Sequence, residues 1–352
     1  MGLLRFLLAM SVVMTHIAKP TYFSGFSGIN AVEVFFLVSG FYIALILDKS
    51  YTSTSHFFIN RFLKIYPAYW IISVLVLLRS LLDPALRNIL FNFPTSILTW
   101  GWFSNLTLIG SDWLMCVKYQ RDRLLIGNLN ESDLPLWQLL WVPQAWSIGI
   151  EITFYLLAPI LVRQSTLRLL LSATLLLILR LAVSILGTNQ DPWNYRFFPF
   201  ELPLFLGGIL LYRHRENLMQ LSSKLLPHFN ANVFLLASYL VFGYVNYNFQ
   251  VNRGFQMLFL ILLTVQTILR SRTTKFDTWL GDLAYPIYIS HLLVESSYSM
   301  GMWYAASKFQ QLTPLNGEMP LLTAKIILIL LFALILSRVV LPLERVRSNF
   351  RK

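Results

Sequence analysis

Residues 30–47 read Asn30-Ala31-Val32-Glu33-Val34-Phe35-Phe36-Leu37-Val38-Ser39-Gly40-Phe41-Tyr42-Ile43-Ala44-Leu45-Ile46-Leu47. A single carboxylate interrupts an apolar run that, coiled as a helix, is about 27 Å long. That is close to the ~30 Å of hydrocarbon in a bilayer. Comparable runs lie at 2–18, 65–82, 144–162, 167–187, 197–212, 229–247, 254–269, 279–300 and 321–341. Lipid offers backbone groups no water, so each run must satisfy its hydrogen bonds internally as helix. The expected fold is an all-α, polytopic integral membrane protein of about ten transmembrane helices. Residues 1–352 are read as a single transmembrane domain with no separate soluble domain.

Composition agrees. The 352 residues are 56% hydrophobic and only 12% charged, where soluble domains carry about 25% charge. This excludes an ordinary soluble enzyme, a disordered chain and a solvent-facing nucleic-acid binder. The net charge of +12 follows from Lys and Arg at the ends of apolar runs, as the positive-inside rule expects. No aromatic–basic groove accompanies it, so no nucleic-acid partner is expected. Cys116, the single cysteine, excludes an internal disulfide and a thiolate zinc cluster. The histidines His16, His56, His214, His228 and His291 form no close pair at ligand spacing, so no metal is expected.

Counting cations gives the orientation. With the N-terminus inside, the inner side receives Arg5, Lys49, Arg61, Lys64, Arg163, Arg168, Arg213, Arg215, Lys224, Arg270, Arg272, Lys275, Arg345, Arg347, Arg351 and Lys352. The outer connections after residue 162 hold only Arg196, Arg253, Lys308 and Lys325. Both termini are therefore expected in the cytoplasm. The first run is not read as a cleaved signal, because Ala18-Lys19-Pro20 is a poor cleavage site. Residues 95–110 are short and carry Thr95, Ser96, Thr99, Ser104, Asn105 and Thr107. If they spanned, every later loop would change sides and the charge bias would invert. They are read as a re-entrant or interfacial segment within one long outer-side excursion, 83–143. Lys118, Arg121 and Arg123 sit there against the charge rule. Long loops of this kind often carry function, which makes the excursion a candidate acceptor-binding lid.

An ionisable group inside a span costs about 2.5–3.5 kcal/mol at its centre and is a functional candidate by default. Arg5 and His16 are separated by about 1100° of helical rotation, so they share a face about 16 Å apart along the axis. Arg5 reads either as a ligand cation or as one that snorkels to the interface. His16 reads as a catalytic base or as a satisfied helix-end histidine. Glu33 stands near the outer start of its span, either orienting His16 or favouring the helix dipole. Arg61 and Lys64 form a phosphate clamp or serve as positive-inside charges. Ser147, Glu151 and Tyr155 repeat at helical spacing after Trp146 and make a polar stripe facing a bundle interior or cavity. Tyr288, His291 and Glu295 make another, beside Tyr285 and the kink expected at Pro286.

In order, these pieces resemble the bacterial acyltransferase type 3 family, membrane enzymes that O-acylate carbohydrates. The matches are Arg5 to His16, Glu33 through Phe35-Phe36 to Ser39-Gly40, Arg61-x-x-Lys64-Ile65-Tyr66-Pro67, Trp146-Ser147-x-x-x-Glu151-x-x-Phe154-Tyr155, and Tyr285-x-x-Tyr288-x-x-His291. Lys64 stands where the family has a second Arg, which keeps the charge but loses the bidentate fork.

The resemblance implies transfer of a short acyl group, most often acetyl, from acyl-CoA to a hydroxyl of a cell-surface or lipid-linked carbohydrate. It implies acetyl-CoA as co-substrate with no bound cofactor, and a multi-pass protein of the bacterial cytoplasmic membrane among membrane lipids. Arg61, Lys64 and Arg5 would hold the donor's phosphates. His16 would be general base or acyl carrier, tuned by Glu33, with Glu151 as a further catalytic carboxylate. Trp146, Ser147, Tyr155, Tyr285, Tyr288 and His291 would line the acceptor pocket, Tyr288 or Ser147 supplying oxyanion donors. A secondary transporter or glycan flippase is the alternative for such a chain; it would show two inverted halves, and no such symmetry is evident in the sequence.

Overall fold

The computed structural model describes residues 1–18, 26–50, 53–81, 93–120, 123–126, 134–185, 190–225, 230–249, 251–271, 274–308, 318–348 and 350. Residues 83–92, 121–122 and 127–133 of the long excursion lie outside the described residues, as do Lys19, Pro20, Arg272, Arg351 and Lys352. The chain divides into two compact units.

The first unit takes in Met1–Val34 and Glu216–Arg345. It contains α1 (Gly2–Ile17), the start of α2 (Gly28–Lys49), α9 (Arg215–Leu225) from Glu216, α10 (Ala231–Phe249), α11 (Arg253–Arg270), α12 (Lys275–Lys308) and most of α13 (Glu318–Ser348). Helices α1 and α12 run parallel, side by side. Their backbones touch at one end through two glycines. A Cβ on Gly2 would fall 1.5 Å from the Asp277 carbonyl oxygen, and one on Gly281 would lie 2.9 Å from Gly2 Cα. No side chain fits there. Asp277 then caps α1 from outside it. Its carboxylate accepts the Gly2 and Leu3 N–H groups, each at 2.9 Å, and the Met1 amine, also at 2.9 Å. Those N–H groups are among the donors a helix start leaves without internal partners. Burial by itself raises the Asp277 carboxyl, but the Gly2 and Leu3 N–H groups and the amine outweigh it and hold the group below its ordinary value.

The second unit takes in Phe35–Arg215 and Val346–Lys352. It holds the rest of α2, α3 (Thr54–Ser80), α4 (Thr95–Thr107), α5 (Ser111–Cys116), α6 (Trp146–Leu161), α7 (Thr166–Ile185) and α8 (Phe198–Arg213). Ser53 caps α3 by accepting the Ser55 N–H. Here too glycines set the closest approach: a Cβ on Gly40 of α2 would meet the Phe205 carbonyl at 2.1 Å, and one on Gly208 of α8 the Leu37 carbonyl at 2.2 Å. The two backbones are in contact, with Phe205 stacked on Phe154 and tilted on Phe36.

All ten apolar runs contain helix, but they are not equivalent. Among the described residues, six helices are long and apolar enough to cross a membrane: Gly28–Lys49, Thr54–Ser80, Pro143–Leu161, Thr166–Ile185, Arg253–Arg270 and Pro320–Leu343. Gly2–Ile17 and Ala231–Val245 are shorter apolar helices. The run at 197–212 forms a helix of 16 residues. The run at 279–300 lies inside the 34-residue α12, where His291 and Glu295 interrupt the apolar sequence. Helix α7 is apolar, and Leu169 is its one buried residue, a surface suited to hydrocarbon rather than water.

The excursion departs from the all-helical expectation. After α4 and α5 it forms a small antiparallel sheet in the order β2-β1-β3, from β1 (Val117–Gln120), β2 (Arg123–Ile126) and β3 (Leu134–Pro135). Two short 3-10 turns, Leu136–Leu139 and Pro143–Ala145, lead into α6. Asn105 ties the piece together: its Nδ2 donates to the Gly101 and Leu139 carbonyls, and its Oδ1 accepts the Trp141 N–H.

Candidate active site

In the first unit, α1 and α12 bring two imidazoles together at the end opposite the glycine contact. His291 is fully buried, whereas His16 is exposed. The His16 Nδ1 lies 2.8 Å from the Val12 carbonyl oxygen and 3.3 Å from His291 Nε2. The His291 Nδ1 lies 2.7 Å from the Tyr288 carbonyl oxygen. A carbonyl only accepts, so both Nδ1 atoms carry their hydrogen. His291 Nε2 is then a bare acceptor that takes a second share of the His16 N–H. In this tautomer the ring lone pair of His16 is on Nε2. Both Nδ1 atoms and His291 Nε2 thus have roles set by their partners, the kind of fixing an imidazole base requires.

The face shared by Arg5 and His16 is the face against α12. The Arg5 guanidinium reaches Gly281, its Nη2 2.4 Å from where a Cβ there would stand. Tyr285 is half-buried, while Tyr288 is buried with its ring centroid 6.0 Å from that of His291. Glu295 of the same stripe pairs with Lys325 Nζ at 3.0 Å. Glu33 is buried, and the structure gives it a cation, Arg253 Nη2 at 3.1 Å. Asn30 completes that link: its Oδ1 accepts from Arg253 Nε at 3.2 Å, and its Nδ2 donates to the Arg253 carbonyl at 3.3 Å.

In the second unit, Glu151 Oε1 accepts hydrogen bonds from the Ser39 hydroxyl at 2.5 Å and from the Tyr155 hydroxyl. Arg61 is buried. It donates through Nη2 to Asn60 Oδ1 at 3.0 Å and lies over the rings of Phe57 and Tyr155, at 5.9 and 5.8 Å. Tyr155 therefore joins Glu151 to Arg61. Lys64, half-buried, follows one turn later on α3. Ser147 donates to the Gln144 carbonyl at 3.4 Å. Trp146 is buried edge-on against Tyr195, with the Arg196 guanidinium 4.8 Å from its ring centre.

Three of these partners have no role legible in the sequence. Arg253 reads as a loop charge and Ser39 as part of Ser-Gly, and Asn60 stands beside Arg61 with no motif of its own. Their partners are mostly far away in sequence, 220 residues from Glu33 to Arg253, for example.

A family model described as an acyltransferase domain matches residues 1–338, essentially the whole chain. The chain belongs to the acyltransferase type 3 family. An uncharacterized protein of Aquifex aeolicus (strain VF5) is 27% identical over 169 residues, covering 47% of this chain and 74% of that protein. No solved structure matches. Membership of the family makes this a multi-pass membrane enzyme that transfers acyl groups.

Proposed function

We propose that this acyltransferase moves a short acyl group, acetyl in the first instance, from acyl-CoA to a hydroxyl of a cell-surface or lipid-linked carbohydrate. It does so in the bacterial cytoplasmic membrane, through about ten spans with both termini in the cytoplasm. The observation that carries the reading is the hydrogen-bonded pair of His16 and His291, which leaves the His16 lone pair on Nε2. In the step proposed, Nε2 takes the proton of the acceptor hydroxyl while its oxygen attacks the thioester carbon. The tetrahedral intermediate then collapses with loss of the C–S bond, and the proton on Nε2 passes to the departing CoA sulfur. While His16 is charged, Val12 O and His291 Nε2 both accept from its Nδ1–H and stabilise it.

Arg61 and Lys64 take the donor's phosphates, with Arg5 as a further cation. Glu33 contributes its charge from the start of α2. Glu151 acts on the Arg61 side through Tyr155. Trp146, Ser147, Tyr285 and Tyr288 are the remaining pocket candidates, and the 83–143 excursion, with 95–110 re-entrant or interfacial, is the acceptor lid.

The test uses purified protein in liposomes with radiolabelled acetyl-CoA and a lipid-linked glycan extract. Glycan labelling is expected from the wild type, and His16→Ala is expected to lower it about 10²–10⁴-fold while membrane expression stays normal. Near-normal product from that variant would remove His16 from the chemistry. Absence of labelling with any short acyl-CoA would favour transport instead.

A further inference from the structure

The end of the chain returns to α3 within the second unit. The Asn60 Nδ2 donates to the Arg347 carbonyl oxygen at 3.0 Å, and the His56 ring meets the Phe350 ring at 5.7 Å, edge to face. Positions 56 and 60 are one helical turn apart, so Arg347 and Phe350 meet the same face of α3. The same Asn60 carboxamide accepts from Arg61 through its oxygen. One fully buried side chain thus joins two segments, each carrying a buried arginine: Arg61 is 9% exposed and Arg347 is 7% exposed.

Among the described residues no ion pair joins Arg61 to a carboxylate. Its partners are the neutral Asn60 and Tyr155 with the Phe57 and Tyr155 rings, and its Nε is buried without a hydrogen-bond acceptor. Glu151, the acid of this cluster, is already engaged by Ser39 and Tyr155. A buried guanidinium with only neutral partners is costly to desolvate, and an anion offsets that cost. Lys64 brings a point charge to the same side of the chain, whereas a guanidinium brings a planar fork that fits two phosphate oxygens.

We infer that Arg347, brought to α3 by Asn60, is a second guanidinium of the phosphate-ester site built on Arg61. This rests on the reading of Arg61 as the residue that holds the donor's phosphates. Asn60 is a positioning residue in this scheme: it touches both arginine segments. A phosphate ester has two sources here, the CoA portion of the donor and the headgroup of an anionic lipid; the inference is that it belongs to CoA.

The experiment measures binding of CoA and of pantetheine, which lacks the phosphates, to the purified full chain in nanodiscs, with and without phosphatidylglycerol. Thermal unfolding of each variant checks the fold. Arg347→Met is expected to weaken CoA binding about ten- to a hundredfold and to leave pantetheine binding unchanged. Arg347→Lys, which keeps charge and length, is expected to lose several-fold and keeps the test valid if the Met variant does not fold. Asn60→Ala is expected to raise KM for acetyl-CoA with little change in kcat.

Wild-type CoA affinity in both Arg347 variants, alongside a loss in Arg61→Met, overturns the inference and leaves the donor reading standing. Wild-type CoA affinity in Arg61→Met as well would overturn the donor reading itself. Loss of retained phosphatidylglycerol with unchanged CoA affinity would assign the site to lipid and overturn the inference.

Discussion

At the scale of single residues, His291 matters through what it accepts. Its bare Nε2 faces the His16 N–H at 3.3 Å, and in the proposed step it takes for His16 the orienting part that a carboxylate plays in a hydrolase triad, without a formal charge. Removing an acceptor from a group that becomes charged costs about 1.5–3 kcal/mol. His291→Ala is therefore expected to lower kcat about ten- to a hundredfold with KM for acetyl-CoA unchanged. His291→Gln, whose side-chain oxygen accepts, is expected to recover part of the loss. A fall in KM and kcat together, with no difference between the two variants, would reduce His291 to packing. The Arg5–His16 face was legible because helical periodicity is a local property of the sequence. The partner of His16 was not, because it stands 275 positions away and periodicity does not say which stripes meet.

Among elements, the start of α8 is held by a carboxylate from α5. Asp112 Oδ2 accepts the Phe198 N–H at 3.4 Å, at a helix start where Pro199 has no N–H to offer. Burial pushes the Asp112 carboxyl up to about 6 from 3.8, against the opposing pull of the Phe198, Asp112 and Trp113 N–H groups. The folded chain therefore binds more protons than the unfolded chain between those values. The stabilisation by the protonated acid is complete below pH 3.8 and lost as pH rises through about 6. Above that window the charged form costs about 2–3 kcal/mol. Asp112→Asn is expected to unfold at higher temperature than wild type at pH 7.5, with the two converging near the ordinary Asp value of about 4. Thermal unfolding from acid to neutral pH checks this, and a less stable Asn variant at pH 7.5 would show that the charge itself is needed. The small sheet of the excursion escaped the sequence reading for a physical reason. Its strands are two to four residues long, and β2 is exposed along its whole length, so no alternation of buried and exposed positions marks it.

For the whole molecule, membrane character and the distribution of cations were legible, because both are sums over many residues. Span number was less so. A helix of 16 residues such as α1 or α8 is only about 24 Å long, and length alone does not settle whether it crosses. The proposed orientation can be tested chemically, because the native thiol is quiet: Cys116 is fully buried and burial pushes its thiol up. A membrane-impermeant maleimide is expected to label Val251→Cys in spheroplasts and Gln220→Cys only after permeabilisation. The reverse pattern would invert the topology.

The parallel pair of α1 and α12 has the layout of a pair of tongs. Its pivot is the bare contact of Gly2 with Gly281, and its jaws are the imidazoles of His16 and His291. From pivot to jaw along α1 is about 21 Å, so a swing of about 5° moves the His16 ring by about 2 Å, where about 1 Å of misplacement already weakens catalysis. In the proposed mechanism, two residues without side chains thus set the tolerance of the proton transfer at the far end of the helices that bear them.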